Sequence, residues 1–266
     1  MIMKRIGQLK DEALDALHGN FGRAALATLV FSLISIAISF SLTYAGGGNI
    51  LDYIDAISDL DYEAMRDAAG GSPLVSLIQF VINILFIAPL TVGVVNTYRI
   101  LVQSKGSDND IIGNYFKLGF GKNYWHIVLV TFVSGLLIGL MIVPAIIIVF
   151  LIIILAHNTV TSIIFGIAAL AYCIYIALIY SQINLIILDN PELDVIDTMR
   201  RSRRLMDGNK WRFFVLGLSF LGWIIVGIFT LCIGYLWLTP YIYTTEAAFY
   251  CELKDLENDA PKVEEA

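Results

Sequence analysis

Five stretches of this chain are almost entirely apolar over a length that a membrane requires: about 24–45, 75–98, 126–155, 160–187 and 213–232. Each reaches the roughly 20 residues that an α-helix needs to cross a hydrocarbon core about 30 Å thick. The runs do not alternate between apolar and polar residues, as the strands of a membrane β-barrel do. Helices satisfy their own backbone hydrogen bonds in lipid. The sequence therefore predicts an all-α, polytopic helical membrane protein.

The composition agrees with this class. Only 15% of the residues are charged and 58% are hydrophobic, whereas soluble domains carry about a quarter charged residues. The first run begins near Ala24 and is too long for a signal-peptide core, so we expect it to remain as an uncleaved span. The third run contains Pro144, which leaves open a tilt, a kink or an extension past the bilayer.

A sixth span is less obvious. A turn at residues 233–235 precedes the stretch 236–253, in which Glu246 is the one charge before Tyr250. This stretch is either a helix that returns across the membrane or an interfacial segment. The internal repeat described below favours a return, and thus six transmembrane helices.

The distribution of basic residues predicts the orientation, because cytoplasmic loops collect Lys and Arg. Basic residues precede the first span and lie between spans two and three and spans four and five, whereas Arg66 is alone between the first two spans. We therefore expect a cytoplasmic N-terminus. Six spans would also place the C-terminus in the cytoplasm, and five would place it outside.

Three short elbows stand at the entrances to spans one, three and five. In each, an Asn precedes a basic residue by three positions, and two of the three carry a Trp between them. The elbow residues are Asn20 and Arg23, Asn123 and Trp125 with His126, and Asn209, Trp211 and Arg212. True repetition would give three like-oriented hairpins. The alternative is that Trp and Arg simply gather at any cytoplasmic membrane interface.

These observations predict one integral membrane domain over 1–266, in which each hairpin follows a cytoplasmic interfacial segment. The predicted segments are an amphipathic segment 1–23, hairpin one 24–98 with an acidic outer loop 46–74, an interfacial segment 99–125, hairpin two 126–187, a basic amphipathic helix 188–212, hairpin three 213–253 and an acidic tail 254–266.

The basic helix 188–212 is the clearest surface element. Asn190 is expected to cap it and Pro191 to occupy its first position. Its arginines would attract anionic lipid headgroups by about 1 kcal/mol each; they are Arg200, Arg201, Arg203 and Arg204. The alternative is a plain topology anchor. Nucleic-acid binding is not expected, because no recognition fold surrounds the charges.

Polar residues gather toward the cytoplasmic ends of spans two, four and six. We predict that they line a cavity open to the cytoplasm; the candidates are Asn96, Arg99, Gln182, Asn184 and Glu246. An ionisable group inside a span is costly, so Glu246 is expected to pair with Arg99. The alternatives are that Glu246 belongs to a purely structural pair or extends to water.

No catalytic constellation is visible. The three histidines lie at different interfaces without a second ligand at metal spacing, the three cysteines show no metal spacing, and no nucleophile elbow, P-loop or dinucleotide motif occurs. A solvated face accounts for the acids of the outer loop, which lacks the Gly of a calcium loop. We expect no enzyme activity, cofactor or metal.

The C-terminal half resembles a bacterial family of uncharacterised integral membrane proteins, the domain-of-unknown-function family nine-seven-five. The resemblance rests on residues 202–210, on 218–220 with Trp223, and on a series from Thr230 to Tyr250 that includes Trp237 and Pro240. More loosely, the layout is similar to the membrane domain of some glycerophosphodiester phosphodiesterases, without their catalytic domain. The resemblance implies a bacterial inner-membrane protein and supplies no activity.

Two functions are favoured from the sequence, and a third, a membrane enzyme, would need a buried polar constellation that is not visible in it. The first is a non-enzymatic membrane protein that organises lipids or envelope partners, with the lipid bilayer as its predicted partner. The second is a small transporter or channel-like protein with a polar cavity around Glu246. The sequence identifies no protein partner.

Overall fold

The fold is helical throughout the part of the chain that the computed structural model describes, namely residues 3–45, 52, 55, 59–61, 63–64, 73–107, 110–156, 159–230 and 233–259. Most of the acidic outer loop predicted at 46–74 lies outside the described residues, as does the end of the acidic tail. The helices are α1 (Ile6–Leu17), α2 (Phe21–Ala45), α3 (Pro73–Ile82), α4 (Ala88–Gln103), α5 (Ile111–Gly119), α6 (Tyr124–Ala156), α7 (Thr159–Ile179), α8 (Ile183–Asp189), α9 (Val195–Leu205), α10 (Lys210–Leu218), α11 (Leu221–Phe229) and α12 (Tyr235–Asp259).

Five helical segments are long and apolar enough to cross a membrane. They are Phe21–Tyr44, Pro73–Gln103, Tyr124–Ile152, Val160–Asp189 and Lys210–Phe229. These segments confirm the prediction of an all-helical, multi-pass membrane protein. The sixth crossing by α12 and the three-hairpin arrangement stay predictions.

A π-helical turn at Asn83–Ile87 joins α3 to α4 within the second segment. Its cause lies in Pro89, which has no backbone N–H to donate to the carbonyl of Leu85, four residues earlier. The hydroxyl of Tyr124 donates to that carbonyl instead, at 2.6 Å. The irregular turn is thus satisfied by the first residue of α6, which ties the two elements together.

The core of the protein lies at one end of the long helices, which we call the basal layer: α1, α5, α8, α9 and the parts of α4 and α12 that pack against them. Tyr98, Leu101, Tyr115, Phe249 and Tyr250 are almost fully buried there. Away from this layer the helices expose apolar side chains, as an acyl-chain environment requires. These exposed side chains include Leu33, Ile36, Leu140, Ile164 and Ile228.

Helix α4 is the centre of the basal layer and makes its closest approach to α5. A Cβ atom on Gly93 would collide with the backbone carbonyl of Tyr115, and one on Gly119 would lie 2.6 Å from the carbonyl oxygen of Pro89. The two glycines therefore let two backbones touch. The Tyr98 and Tyr115 hydroxyls, 2.7 Å apart, close the same contact with a buried hydrogen bond.

The basic helix differs from its prediction in extent. α9 begins at Val195 after Asp194, while Asn190 ends α8 and Pro191 lies in the intervening turn. The expected caps at Asn190 and Pro191 were therefore wrong. The buried face of α9, which includes Thr198, Met199 and Ser202, packs on protein rather than on lipid.

Candidate functional site

Each of the three elbow asparagines immediately precedes the first residue of a membrane-length helical segment. The backbone carbonyl of Asn20 accepts from Ala24 at 2.9 Å, that of Asn123 accepts from Ile127 at 2.9 Å, and that of Asn209 accepts from Phe213 at 3.0 Å. These backbone carbonyls are the first helical acceptors, whereas the Asn209 side chain makes no capping hydrogen bond to its helix. The elbows thus mark where α2, α6 and α10 begin.

The first and third elbows share a second structural feature, a glycine with a positive φ angle. Gly19 and Gly208 directly precede their asparagines and have φ values of +79° and +75°, a region that L side chains rarely adopt. The side-chain amide of Asn20 donates to the Gly106 carbonyl at 2.7 Å, and that of Asn209 donates to the Leu205 carbonyl at 3.1 Å. The middle elbow lacks this pattern, so the match between the three copies is partial.

The aromatic and basic elbow residues have different surroundings. Trp125 and Trp211 are both 73% exposed and project outward at the starts of α6 and α10. Arg23 is exposed and donates to the side-chain oxygen of Asn20 at 3.3 Å. Arg212 is turned inward, where its guanidinium donates to the Glu252 carboxylate at 2.6 Å. The shared sequence position therefore does not give a shared contact.

The polar residues of α4, α8 and α12 meet in a buried polar cluster, composed of Asn96, Arg99, Asp189, Tyr250 and Lys254. The Arg99 guanidinium forms an ion pair with the Asp189 carboxylate and donates to the side chain of Asn96 at 2.9 Å. The second oxygen of Asp189 accepts from Lys254 at 2.7 Å and from the Tyr250 hydroxyl at 2.8 Å. One carboxylate thus holds two cations and a phenol.

This cluster corrects the expected partner of Arg99, which is Asp189 and not Glu246. Asn96 is fully buried and its amide also donates to the backbone carbonyl of Asn184, at 2.7 Å. The Arg99 and Asp189 side chains are 10% and 7% exposed. Asn96, Arg99 and Asp189 therefore meet between α4 and α8, and their side chains fill this point with an ion pair and hydrogen bonds.

The two remaining cavity candidates lie apart from the polar cluster's ion pairs. Gln182 is buried at the start of α8; its amide donates to the Ser181 hydroxyl at 2.8 Å, and its carbonyl oxygen has no partner among the described residues. Glu246 lies with Phe213 and Phe220 in a separate cavity between α10, α11 and α12. The five candidates do not form one cavity.

A second link joins the start of the chain to the third elbow and α12. Glu252 is 1% exposed and accepts from the backbone N–H of Lys4 and from Arg212, while Arg212 also donates to the Lys4 carbonyl. The Arg212 guanidinium lies 5.3 Å from the centre of the Phe249 ring, within cation–π distance. The N-terminal segment, α10 and α12 are therefore fixed to one another.

The four arginines of α9 divide into two sets. Arg201 donates to Glu257 at 3.0 Å and is mostly buried, and Arg204 pairs with the same carboxylate at 2.9 Å. Arg200 and Arg203 are exposed, and Arg200 makes only a local pair with Asp197 at 3.0 Å. The outward set therefore consists of Arg200, Arg203 and most of the Arg204 side chain.

Two exposed carboxylates stand beside lysines of this end of the molecule. A hydrogen bond from Lys210 holds the pKa of Asp207 below its ordinary value, and Lys117 does the same to the pKa of Asp110. Both acids thus stay ionised to lower pH than a free side chain would. Among the described residues, no group of three or more His, Cys, Asp and Glu side chains is placed to hold a metal ion.

Four residues that organise this end of the molecule were missed in the sequence: Asp189, Glu252, Lys254 and Glu257. Asp189 carried a usable signal, because a lone acid at the end of one apolar run mirrors the lone Arg99 at the end of another. The other three lie in the stretch taken as the end of a span and an acidic tail. In the structure α12 continues to Asp259, so these residues belong to one helix.

The fold and these contacts define a helical, multi-pass membrane protein in which the buried ion pairs of the described residues lie in one layer. The chain matches a family model described as "Protein of unknown function (DUF975)" over residues 3–257, and it belongs to that family. No curated protein and no solved structure matches it. The looser similarity to glycerophosphodiester phosphodiesterases therefore has no support.

Proposed function

We propose that this protein is a non-enzymatic protein of the bacterial inner membrane, with its basal layer in the cytoplasm, that binds anionic lipid headgroups and organises lipid around itself. The observation that carries the proposal is the outward face of α9. Arg200 and Arg204 have side chains that are 76% and 70% exposed, and Arg203 is exposed between them. These side chains form an arc of cations on the outer surface of the basal layer.

The position of α9 supports a headgroup role. Its opposite face packs on α8, α6 and α12, so the helix is held by protein and does not need lipid to bury its apolar residues. Trp211, which follows the same helix through the elbow, is exposed beside it. Tryptophan is favoured at the membrane–water interface, so it would set the arginines at headgroup depth.

Lipid binding can be tested on the purified protein in a neutral detergent by native mass spectrometry. We expect the wild type to retain phosphatidylglycerol in preference to phosphatidylcholine. The double variant Arg200→Gln/Arg203→Gln should bind phosphatidylglycerol about 30-fold more weakly, since each cation near the surface contributes about 1 kcal/mol and two are removed. The double variant Arg200→Lys/Arg203→Lys keeps the charge and should bind nearly as the wild type does.

Two results would contradict this function. One is equal retention of the two lipids by the wild type; the other is an unchanged preference in the glutamine variant. If the arginines serve only as a topology anchor, the glutamine variant should insert wrongly in cells yet bind lipid normally once purified. Normal insertion with lost lipid preference supports headgroup binding.

Transport is a second candidate, and one observation favours it. Glu246 lines a cavity whose other walls are apolar and makes no hydrogen bond or ion pair with the described residues. Ionisable groups without a partner inside a membrane protein mark substrate and ion pathways by default. Solute flux into liposomes that contain the wild-type protein, and its loss in liposomes that contain Glu246→Gln, would support transport. Wild-type flux equal to that of protein-free liposomes would reject it.

A further inference from the structure

A cavity of about 220 Å³ lies where α10 and α11 meet α12. Its walls are aromatic and aliphatic, including Phe213, Phe220, Ile224 and Ile242. Glu246, on α12, contributes the one ionisable side chain among the residues that line it. The cavity thus has apolar walls and a single carboxyl group among the residues that line it.

The carboxyl of Glu246 differs from the other acids of α12. Glu252 accepts from Arg212 and Lys4, and Glu257 accepts from Arg201 and Arg204. Within the described part of the chain, Glu246 has no such partner. A carboxylate beside apolar walls is costly unless a cation is brought to it. The cavity offers room for that cation to come from outside the chain.

The aromatic wall is already used by a cation of the chain itself. The ammonium of Lys10 lies 4.2 Å from the centre of the Phe220 ring and donates to the Ser219 carbonyl at 3.2 Å. Lys10 is therefore held at Phe220 and forms no ion pair with Glu246. The negative faces of aromatic rings attract ammonium groups. Proteins use this attraction to bind quaternary ammonium ligands. Phe213 supplies a second ring in the same cavity.

We propose that this cavity binds a small lipophilic cation, namely a quaternary ammonium or hydrophobic amine with an apolar body. The carboxyl of Glu246 would neutralise the charge, and the phenylalanine and isoleucine side chains would cover the apolar part. The biological role of this cation site rests on the transport candidate proposed above. The site itself is independent of the lipid-binding surface on α9.

Equilibrium binding of tritiated benzyltrimethylammonium to the full-length protein tests the proposal. Nanodiscs of phosphatidylcholine alone remove the contribution of anionic lipid. We expect saturable binding by the wild type, and at least about tenfold weaker binding by Glu246→Gln, because the cation would lose its partner while the cavity kept its shape. Neopentylbenzene, the neutral carbon isostere, should compete poorly.

Two further variants separate the cavity from general charge effects. Asp255→Asn removes an exposed carboxylate from the same helix and should bind as the wild type does. Gly217 lines the cavity, and a Cβ atom there meets nothing within 4 Å. The side chain of Gly217→Leu therefore has room, and we expect its bulk at the cavity wall to narrow the cavity and weaken binding with Glu246 still present. Thermal unfolding of each variant confirms that it is folded.

The outcomes are distinguishable. No saturable binding by the wild type, or equal binding by Glu246→Gln, overturns the cation site. Binding that is as tight for neopentylbenzene as for the cation also overturns it, because an apolar cavity alone would then explain the result. Saturable, Glu246-dependent binding without flux in liposomes would keep the cation site and reject transport.

Discussion

At the scale of single residues, Asp189 links three helices of the basal layer, α4, α8 and α12. Its carboxylate joins Arg99 of α4 to Lys254 and Tyr250 of α12. A buried ion pair adds little net stability, but removal of one partner leaves the other charge buried without compensation. The loss of unfolding free energy when the cluster is broken is therefore expected to exceed the net stability that the intact cluster contributes.

We predict that Asp189→Asn destabilises the folded protein by about 3–5 kcal/mol, because it strands two cations. Denaturant-induced unfolding in micelles, followed by tryptophan fluorescence, measures this change. The matched control is Asp255→Asn on α12, where the carboxylate is exposed and the expected change is within about 0.5 kcal/mol. A loss for Asp189→Asn no larger than that of the control would contradict the central role of the cluster.

The cluster also shows how far residue-level sequence reasoning reaches. Asn96 and Arg99 could be recognised, because polar residues that end an apolar run stand out against their surroundings. The choice between two acids could not be made, since Glu246 of α12 and Asp189 of α8 both lie near the end of an apolar run. Which of them meets Arg99 depends on how α8 and α12 are positioned along α4, and tertiary packing alone decides that.

At the scale of elements, the number and type of the long helices follow from the sequence, whereas their contacts do not. Twenty or more apolar residues dictate a spanning helix through hydrocarbon thickness. No comparable length signal in the sequence predicts that α9 is short or that α10 and α11 are separate helices. The glycine contact between α4 and α5 depends on two helices of unrelated sequence meeting at one point.

That contact supports a prediction. Gly93→Ala should destabilise the protein by about 1–3 kcal/mol, because the added methyl group meets the backbone of α5 and forces the helices apart. Gly135→Ala on α6 is the control, since a Cβ atom there meets nothing within 4 Å; it should be neutral or slightly stabilising. Equal unfolding midpoints for the two variants would show that α4 and α5 do not touch as described.

The link between the π-helical turn and α6 gives a second prediction at this scale. Tyr124→Phe should destabilise the protein by about 1 kcal/mol, because the Leu85 carbonyl loses its donor. In Pro89→Ala the new backbone N–H can reach that carbonyl, so the same Tyr124→Phe change should cost less. A double-mutant cycle on unfolding free energies measures the coupling. Additive effects of the two substitutions would reject the proposed compensation for Pro89.

At the scale of the whole molecule, α12 gathers the ends of the chain into one layer. Within eight residues it contacts the polar cluster through Tyr250 and Lys254, the N-terminal segment and Arg212 through Glu252, and α9 through Glu257. The residues near both termini are therefore on the same side of the molecule. This geometry bears on the sixth crossing, which composition alone left open.

Lys4 precedes the first of five membrane-length segments, and the last of these ends at Phe229. An odd number of crossings would carry the chain to the far side by residue 229. Glu252 nevertheless accepts a hydrogen bond from Lys4. If all five segments cross, α12, which lies between Phe229 and Glu252, has to return across the membrane, so the contact favours six crossings. The sequence predicts α12 only weakly as a span, because Glu246 lowers its apolar character and Pro240 disturbs its helical regularity.

The resulting prediction is that both ends of the protein lie in the cytoplasm. Green fluorescent protein fused after residue 259 should fluoresce, and alkaline phosphatase fused at the same point should be inactive, because the phosphatase matures only outside the cytoplasm. Fusions after residue 229 should give the reverse pattern. An active phosphatase at both positions would mean that α12 lies along the surface. The Lys4–Glu252 contact could not then form in a molecule with five crossings, so the basal layer as described would be wrong.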